Sequence, residues 1–306
     1  MLIFSSILAV AFIALLARWS PVAEIVTHFR MLYALGAAFA LICFLLACAW
    51  RWALAAAVLL IWQGWAIVPW LWDPNTYAQF EHTKLTVVSV NVNADTTGYE
   101  KLLDVIADED PDLIFVQELS PLWAKALEVI HEEYPYRIIT ARMDYFGLGF
   151  YSRYPIENVD SSDPLNSDVP ISRGDVVVGN QRLHIVNAHL APPEGRMLTE
   201  MRYDQFTWLT EYVERLQGPV IVAGDFNCTM WSPLYHDLVE RGRLTNARYG
   251  RGIMPSWFPM PGGLNLIPID QILGRQLLFT SMHLGERIGS DHVPLVATLE
   301  LRKSPV

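Results

Sequence analysis

"PVIVAGDFNCTM" occupies residues 219–230. Val220 to Ala223 form an apolar run of strand character, and Gly224 leads it into Asp225, Phe226 and Asn227. Successive strand side chains alternate between faces, so Asp225 and Asn227 would point the same way. Gly, Asp and Asn also suit turns, and this stretch read alone supports a plain turn equally well. The rest of the chain decides between the two, because the pattern recurs. Asn91 and Asn93 close "TVVSVNVN", Glu118 closes "DLIFVQEL", and Asn187 and His189 close "RLHIVNAHL". Asp270 follows "NLIPI", and Asp291 and His292 precede "VPLVATL".

Taken singly, each of these residues has an ordinary structural reading. Asn91 and Asn93 can cap a turn, His189 can close a loop before "LAPP", and Asp291 with His292 can be a surface pair. Polar groups are costly to bury without partners, so their repeated placement at the ends of apolar strands points to one shared crevice. Carboxylates there suit a hard cation, amides suit phosphate oxygens, and histidine suits proton transfer.

From residue 84 onward the pattern predicts strands over 84–92, 112–119, 136–140, 146–151, 174–178, 182–189, 220–223, 269–273, 277–282 and 293–299. Helices are predicted over 99–108, 122–132, 198–216 and 232–240. Helices do not follow every strand, so a doubly wound parallel sheet fits poorly. The expectation is an α/β fold in four layers, two mixed β-sheets packed face to face with helices outside. No internal repeat, glycine-rich phosphate loop or heptad pattern is present.

The first 72 residues are chemically different. Residues 1–80 hold Arg18, Arg30 and Arg51 as their only Lys or Arg, and Glu24 and Asp73 as their only acids. Apolar segments cover about 1–17, 31–50 and 52–72. A membrane span needs about 20 apolar residues. We therefore expect a three-span transmembrane region (1–72), a linker (73–83) and a catalytic domain (84–302). A cleaved signal peptide fits less well, because the start carries no basic residue. A soluble helical bundle would need polar outer faces, which these segments lack. Trp50, Trp52, Trp65, Trp70 and Trp72 lie towards the span ends, as in an aromatic belt. The expected location is the cell membrane, multi-pass. The arginine counts of the two loops differ too little to assign the side on which the domain lies.

Removing those few charges from the totals of 22 Lys and Arg and 32 Asp and Glu leaves a second region with a formal charge of −11. That sign argues against broad wrapping of nucleic acid, which needs clustered cations. The three cysteines, Cys43, Cys48 and Cys228, have neither a disulfide framework nor zinc spacing.

Eight pieces, "VVSVNVN", "PDLIFVQEL", "GLGFYSRYPI", "IVNAHLAPP", "IVAGDFN", "PSWFP", "IDQIL" and "SDHVPLVATL", stand in an order that resembles the endonuclease/exonuclease/phosphatase superfamily. The superfamily includes DNase I and the neutral sphingomyelinases. The resemblance implies that Glu118 is the principal Mg2+ ligand, with Asn91 and Asp291 near the same ion and Mn2+ as the alternative metal. Asn93 falls where several relatives carry aspartate. The resemblance further implies that Asp225 orients the attacking water, that Asn227 and His189 contact the phosphate, and that His292 is the catalytic histidine paired with Asp270. Arg153 and Arg173 are further phosphate candidates, and Arg142 and Arg196 are weaker ones. Trp257 and Phe258 are candidate pocket walls, and Arg202 and Gln205 can tie the 198–216 helix to a nearby loop.

The expected function is a membrane-anchored, Mg2+-dependent phosphoesterase acting on a lipid-linked phosphate, with the bilayer as partner. The alternatives are a membrane-tethered nuclease and a non-enzymatic membrane scaffold or binding module. A scaffold has no need to gather these acids, amides and histidines.

Overall fold

A computed structural model describes residues 2–72, 82–258 and 267–302. Helices α1 (Leu2–Ile13), α2 (Pro21–Val26), α3 (Arg30–Leu46) and α4 (Trp50–Leu71) come first. Then follow β1 (His82–Asn91), α5 (Tyr99–Glu109), β2 (Leu113–Gln117), α6 (Pro121–Ala126), β3 (Tyr136–Thr140), β4 (Leu148–Ser152), β5 (Ile156–Asp160) and β6 (Ile171–Val178). The chain continues through β7 (Gln181–His189), α7 (Gly195–Arg215), β8 (Val220–Asp225), α8 (Pro233–Gly242), β9 (Thr245–Asn246), β10 (Asp270–Arg275), β11 (Leu277–Leu284) and β12 (Leu295–Arg302). The expected linker falls, through residue 81, outside the described residues, and Thr83 already belongs to β1.

One sheet has the order β11-β12-β1-β2-β4-β3 and the other β5-β6-β7-β8-β10-β9. Both are mixed, since β1 pairs parallel with β2 and β7 parallel with β8, amid antiparallel neighbours. Strand alternation sorts the apolar side chains into layers. Leu85, Val87, Phe115, Ile185, Ile221 and Ile272 meet between the sheets. Val88, Val90, Ile114 and Val116 face α5 and α6, while Val186, Val220 and Val222 face α7 and α8. This is the expected four-layer arrangement.

Three helices start on the same device. Ser20, Ser120 and Ser232 each accept a backbone N–H from the first turn, and each is followed by proline. A serine cap satisfies an orphan donor, and proline at the first helical position loses no hydrogen bond. Ser20-Pro21 thus marked α2, which the apolar periodicity did not reveal. Strand β5 was also unread, because its "IENVD" is mostly exposed and carries no apolar alternation.

At the N-terminus, two helical stretches are long and apolar enough to cross a membrane, Pro21–Leu46 and Trp50–Leu71. The first segment, expected as a third span, is the shorter helix Ile3–Leu16. These helices are packed onto the domain. The Trp70 carbonyl accepts the Gly252 N–H at 2.7 Å, and the Trp231 indole N–H donates to the Ala66 carbonyl at 3.1 Å. Trp70 packs edge-on to Tyr235 and Tyr249 and so leaves the expected aromatic belt, whereas Trp50, Trp65 and Trp72 remain exposed. Glu24, the only acid in the described N-terminal helices, is fully buried against Arg202 of α7.

Candidate active site

The strand rows that fill the inter-sheet core continue into polar residues at one end. On β1 the row Leu85, Val87, Ser89 ends in Asn91, and on β8 the row Ile221, Ala223 ends in Asp225. On β10, Asp270 stands two residues before Ile272 in the same row. On β7 the row Leu183, Ile185 passes through Asn187 to His189. Register brings these ends together: Asn91 lies opposite Gln117, His189 opposite Asp225, and Asp225 opposite Asp270.

Backbone shape aims the remaining groups. Glu118 and Asn227 follow their strands with φ of 58° and 48°, left-handed conformations that turn each side chain off the strand. Gly224 has φ 140°, and a Cβ there would stand 1.9 Å from the Ala188 carbonyl oxygen. Only glycine lets β8 lie this close to β7 just before Asp225.

The centre is a line of three buried groups. His292 Nδ1 is 2.9 Å from an Asp270 oxygen, and its Nε2 is 3.6 Å from Asp225 Oδ2. Burial disfavours the imidazolium, but Asp270 and then Asp225 outweigh it and raise the His292 pKa to about 10. His292 is therefore a cation held between two acids. Burial pushes the Asp225 carboxyl above the usual carboxylate range, and His292 offsets only part of that rise. His189 meets the Tyr145 carbonyl through Nδ1 at 2.8 Å and turns Nε2 toward Asp225 Oδ2 at 3.5 Å. Asn227 donates its backbone N–H to Asp225 Oδ1 at 2.8 Å and its amide to the Leu190 carbonyl at 2.9 Å.

A second set adjoins the first. The Asn91 amide donates to Glu118 Oε1 at 2.9 Å and to Asp225 Oδ2 at 3.0 Å. The Asn93 amide donates to Asp291 Oδ1 at 2.7 Å. The donor atoms that a cation would use fall into two groups of residues. Asp225, Asp270 and His292 present ligand atoms within 4.8 Å of one another, but there both imidazole nitrogens already face carboxylates. Glu118, Asp291 and Asn91, the ligands that the resemblance implies, carry hard oxygens, which suit Mg2+ better, and the Asn91 oxygen already accepts the Asn93 backbone N–H at 2.9 Å. Amide N–H groups now sit on those carboxylates, where a cation would compete for the same lone pairs.

Two of the arginine candidates, Arg153 and Arg173, lie elsewhere. Arg153 follows the end of β4 that pairs with Leu113, whereas the site lies at the Gln117 end. It binds Asp110 and Glu133 and lies over Tyr134. Arg173 shares the outward row of β6 with Ile171, pairs with Asp160 and stacks on Trp208 and Tyr212 of α7. Neither touches the crevice, because strand end and strand parity override nearness to a motif in sequence. Arg142 binds Asp144 and Asp168, and Arg196 binds Glu200. Asn187 also stops short of the crevice. It accepts from Gln117 Nε2 at 2.8 Å and donates to the Gly149 carbonyl at 2.8 Å, clasping the two sheets together. Asn187→Ala should therefore cost about 1–3 kcal/mol of stability through orphaned buried partners. Thermal unfolding of the full chain in detergent checks this. An unchanged midpoint would show that the clasp contributes nothing.

Several supporting residues were not singled out from sequence. Ser290 Oγ donates to the Asn91 carbonyl at 2.9 Å and accepts the His292 N–H at 3.0 Å. Its place in "SDH" was the available signal. The Trp257 indole, expected only as an apolar wall, donates to Asp291 Oδ2 at 3.1 Å. Lys101 and Arg287 line a cleft of about 450 Å3 beside Asn93 and Asp291. No local motif marked either of them.

No curated protein sequence matches the chain. Solved structures share its fold. D. rerio TDP2 complexed with single-strand DNA product is 17% identical, with a TM-score of 0.60 over 71% of this chain and 99% of that one. The 3′ phosphatase NExo from Neisseria, bound to a product DNA hairpin, is 18% identical, with a TM-score of 0.60 over 70% and 98%. An endonuclease/exonuclease/phosphatase from Bacteroides vulgatus is 19% identical, with a TM-score of 0.59 over 72% and 100%. Residues 88–292, well over half of the sequence and nearly all of the sandwich, match the Endonuclease/Exonuclease/phosphatase family, and the chain belongs to it.

Proposed function

We propose that the chain is a membrane-anchored, Mg2+-dependent phosphoesterase that hydrolyses a phosphodiester or phosphate of a lipid-linked substrate. The observation that carries this reading is the buried line Asp270, His292, Asp225 opening beside Glu118, Asn91 and Asn227. The two long apolar helices support the anchoring. Anchoring raises the effective concentration of a bilayer substrate at the site.

Glu118, Asp291 and Asn91 would hold the cation, with Mg2+ preferred and Mn2+ the alternative. When bound, it neutralises charge on the phosphoryl oxygens. Asp225 orients a water and takes its proton as the water oxygen bonds to phosphorus. The opposite P–O ester bond breaks, and the leaving alkoxide takes a proton from solvent water, while Asp225 returns its proton to solvent. His292, held cationic by Asp270, faces the charge that develops on phosphate, with Asn227 and His189 beside it. Donors fixed in advance act strongly where charge grows in the transition state.

A nuclease reading draws on the two DNA-bound neighbours and on Lys101 and Arg287 in the adjoining cleft. A substrate panel separates the two. Full-length protein in liposomes is given a lysophospholipid, a glycerophospholipid, a lipid pyrophosphate and single-stranded DNA, with Mg2+ or with EDTA. The expected result is turnover of one lipid class at least about tenfold above DNA, abolished by EDTA. Preference for DNA would overturn the lipid assignment. Turnover that survives EDTA would overturn the metal assignment.

A further inference from the structure

We propose that a cavity between the N-terminal helices and the candidate active site is a subsite for the hydrocarbon chain next to the substrate's phosphate. This inference rests on the phosphoesterase reading and adds a location and a specificity to it. The cavity holds about 190 Å3. Ile25 and Phe29 line it from the N-terminal segment, and Pro192, Trp257 and Ile269 line it from the domain. Asn227 also lines it, and its amide nitrogen is 3.4 Å from His189 Nε2, so one residue borders both the cavity and the candidate phosphate site.

The chemistry of the walls selects the occupant. Most of the lining is apolar, and His28, a polar member, meets Thr229 Oγ1 through Nδ1 at 3.0 Å and turns Nε2 toward Glu24 at 3.4 Å. Nucleobase recognition needs several convergent donors and acceptors, which these walls lack. Glu194 at the rim disfavours a second phosphate on this side. A whole ligand takes about 300–1,000 Å3, so this volume suits part of a molecule, namely the stretch of chain adjoining the phosphate.

The route to the cavity is also present. Leu32, Leu35, Phe39 and Ile42 are all exposed and continue from Ile25 and Phe29 at steps of three and four residues. Leu32, Leu35, Phe39 and Ile42 make one apolar stripe along α3, and α3 begins directly after Phe29, which lines the cavity. The separate cleft beside Asn93 and Asp291 carries Lys101 and Arg287, two cations that can meet polar or anionic groups of the substrate. The two cavities thus orient an amphipathic ester with its chain toward the N-terminal helices.

The test uses full-length protein in nanodiscs and 4-nitrophenyl n-alkyl phosphodiesters from methyl to hexyl, with Mg2+. In wild type, kcat/KM should rise by up to about fourfold per methylene until the cavity is full. Ile25→Trp, which fills the cavity, should flatten that rise, and Phe29→Ala, which widens it, should move the plateau to longer chains. Partitioning into the bilayer lifts all three proteins equally, so the difference in slope reports the cavity. Equal slopes in all three would overturn the subsite while leaving the phosphoesterase reading intact. If no ester is hydrolysed, the phosphoesterase reading falls, and titration with n-alkyl phosphonates decides the cavity by the same comparison. Tighter binding of longer chains in wild type but not in Ile25→Trp would uphold it, and parallel trends would sink it.

Discussion

His292→Ala should lower kcat by about 100- to 10,000-fold and leave the protein folded. The side chain is almost fully buried, and both ring nitrogens face carboxylates, Asp270 at 2.9 Å and Asp225 at 3.6 Å. Its removal takes away the positive charge directed at the phosphate. It also leaves Asp225 and Asp270 facing each other with no cation between them. Like charges at close range raise a carboxyl pKa, so Asp225 would hold its proton and lose its capacity to accept one from water. Asp270→Asn tests the same line from its far end. It preserves the volume but weakens the hold on Nδ1, and it should cost less than the alanine change at His292. Glu118→Gln should act differently, raising the Mg2+ concentration needed for half-maximal rate. Steady-state kinetics across a Mg2+ series, with thermal unfolding as the check on folding, separates these effects. A His292→Ala enzyme with wild-type kcat would remove the central line from the mechanism.

The fold was legible because its strands obey simple alternation. Leu85, Val87 and Ile221, Ala223 are inward rows, and the polar residues that end them stand out as departures from an apolar pattern. The crevice residues Asn91, Asp225, Asp270 and His189 could be named from sequence for that reason. Arg153 and Arg173 were misplaced because nearness to a motif in sequence says nothing of strand end or face. Arg173 is one residue from Ser172, the partner of Asn187, yet it points to the opposite side of the sheet. The docking of the N-terminal helices was not legible at all. Its central contact joins Glu24 to Arg202, which are 178 residues apart, and neither residue lies in a motif. Arg202 was legible as a tie to a nearby loop, which its bond to the Asn227 carbonyl supplies, but for its contact with the N-terminal helices a lone glutamate in an apolar region was the signal. Its burial cost demanded a partner that local sequence could not identify.

That same contact sets up the second large effect. Glu24→Gln should destabilise the protein by about 3–5 kcal/mol, because it leaves a buried guanidinium without its counter-charge. Glu24 and Arg202 are both fully buried, and the Ser232 hydroxyl also donates to Glu24. Arg202 donates its other terminal nitrogen to the Asn227 carbonyl at 2.8 Å, so the pair also braces the loop that carries a candidate phosphate ligand. Stability and catalysis then respond differently to repair. The double change Glu24→Gln with Arg202→Met removes both charges and should recover most of the lost stability, since an apolar replacement of a buried ion pair is often close to neutral. It should not recover rate. With no donor on the Asn227 carbonyl, kcat should stay down by about tenfold, the cost of one charge-assisted hydrogen bond. Unfolding midpoints in detergent and kcat on one phosphodiester, measured for the single and double variants, give both readouts. Full recovery of kcat in the double variant would reduce Arg202 to a packing residue. An unchanged midpoint in Glu24→Gln would mean that the N-terminal helices are held to the domain by their hydrogen bonds and ring contacts at Trp70 and Trp231, and that the buried pair contributes nothing to that hold.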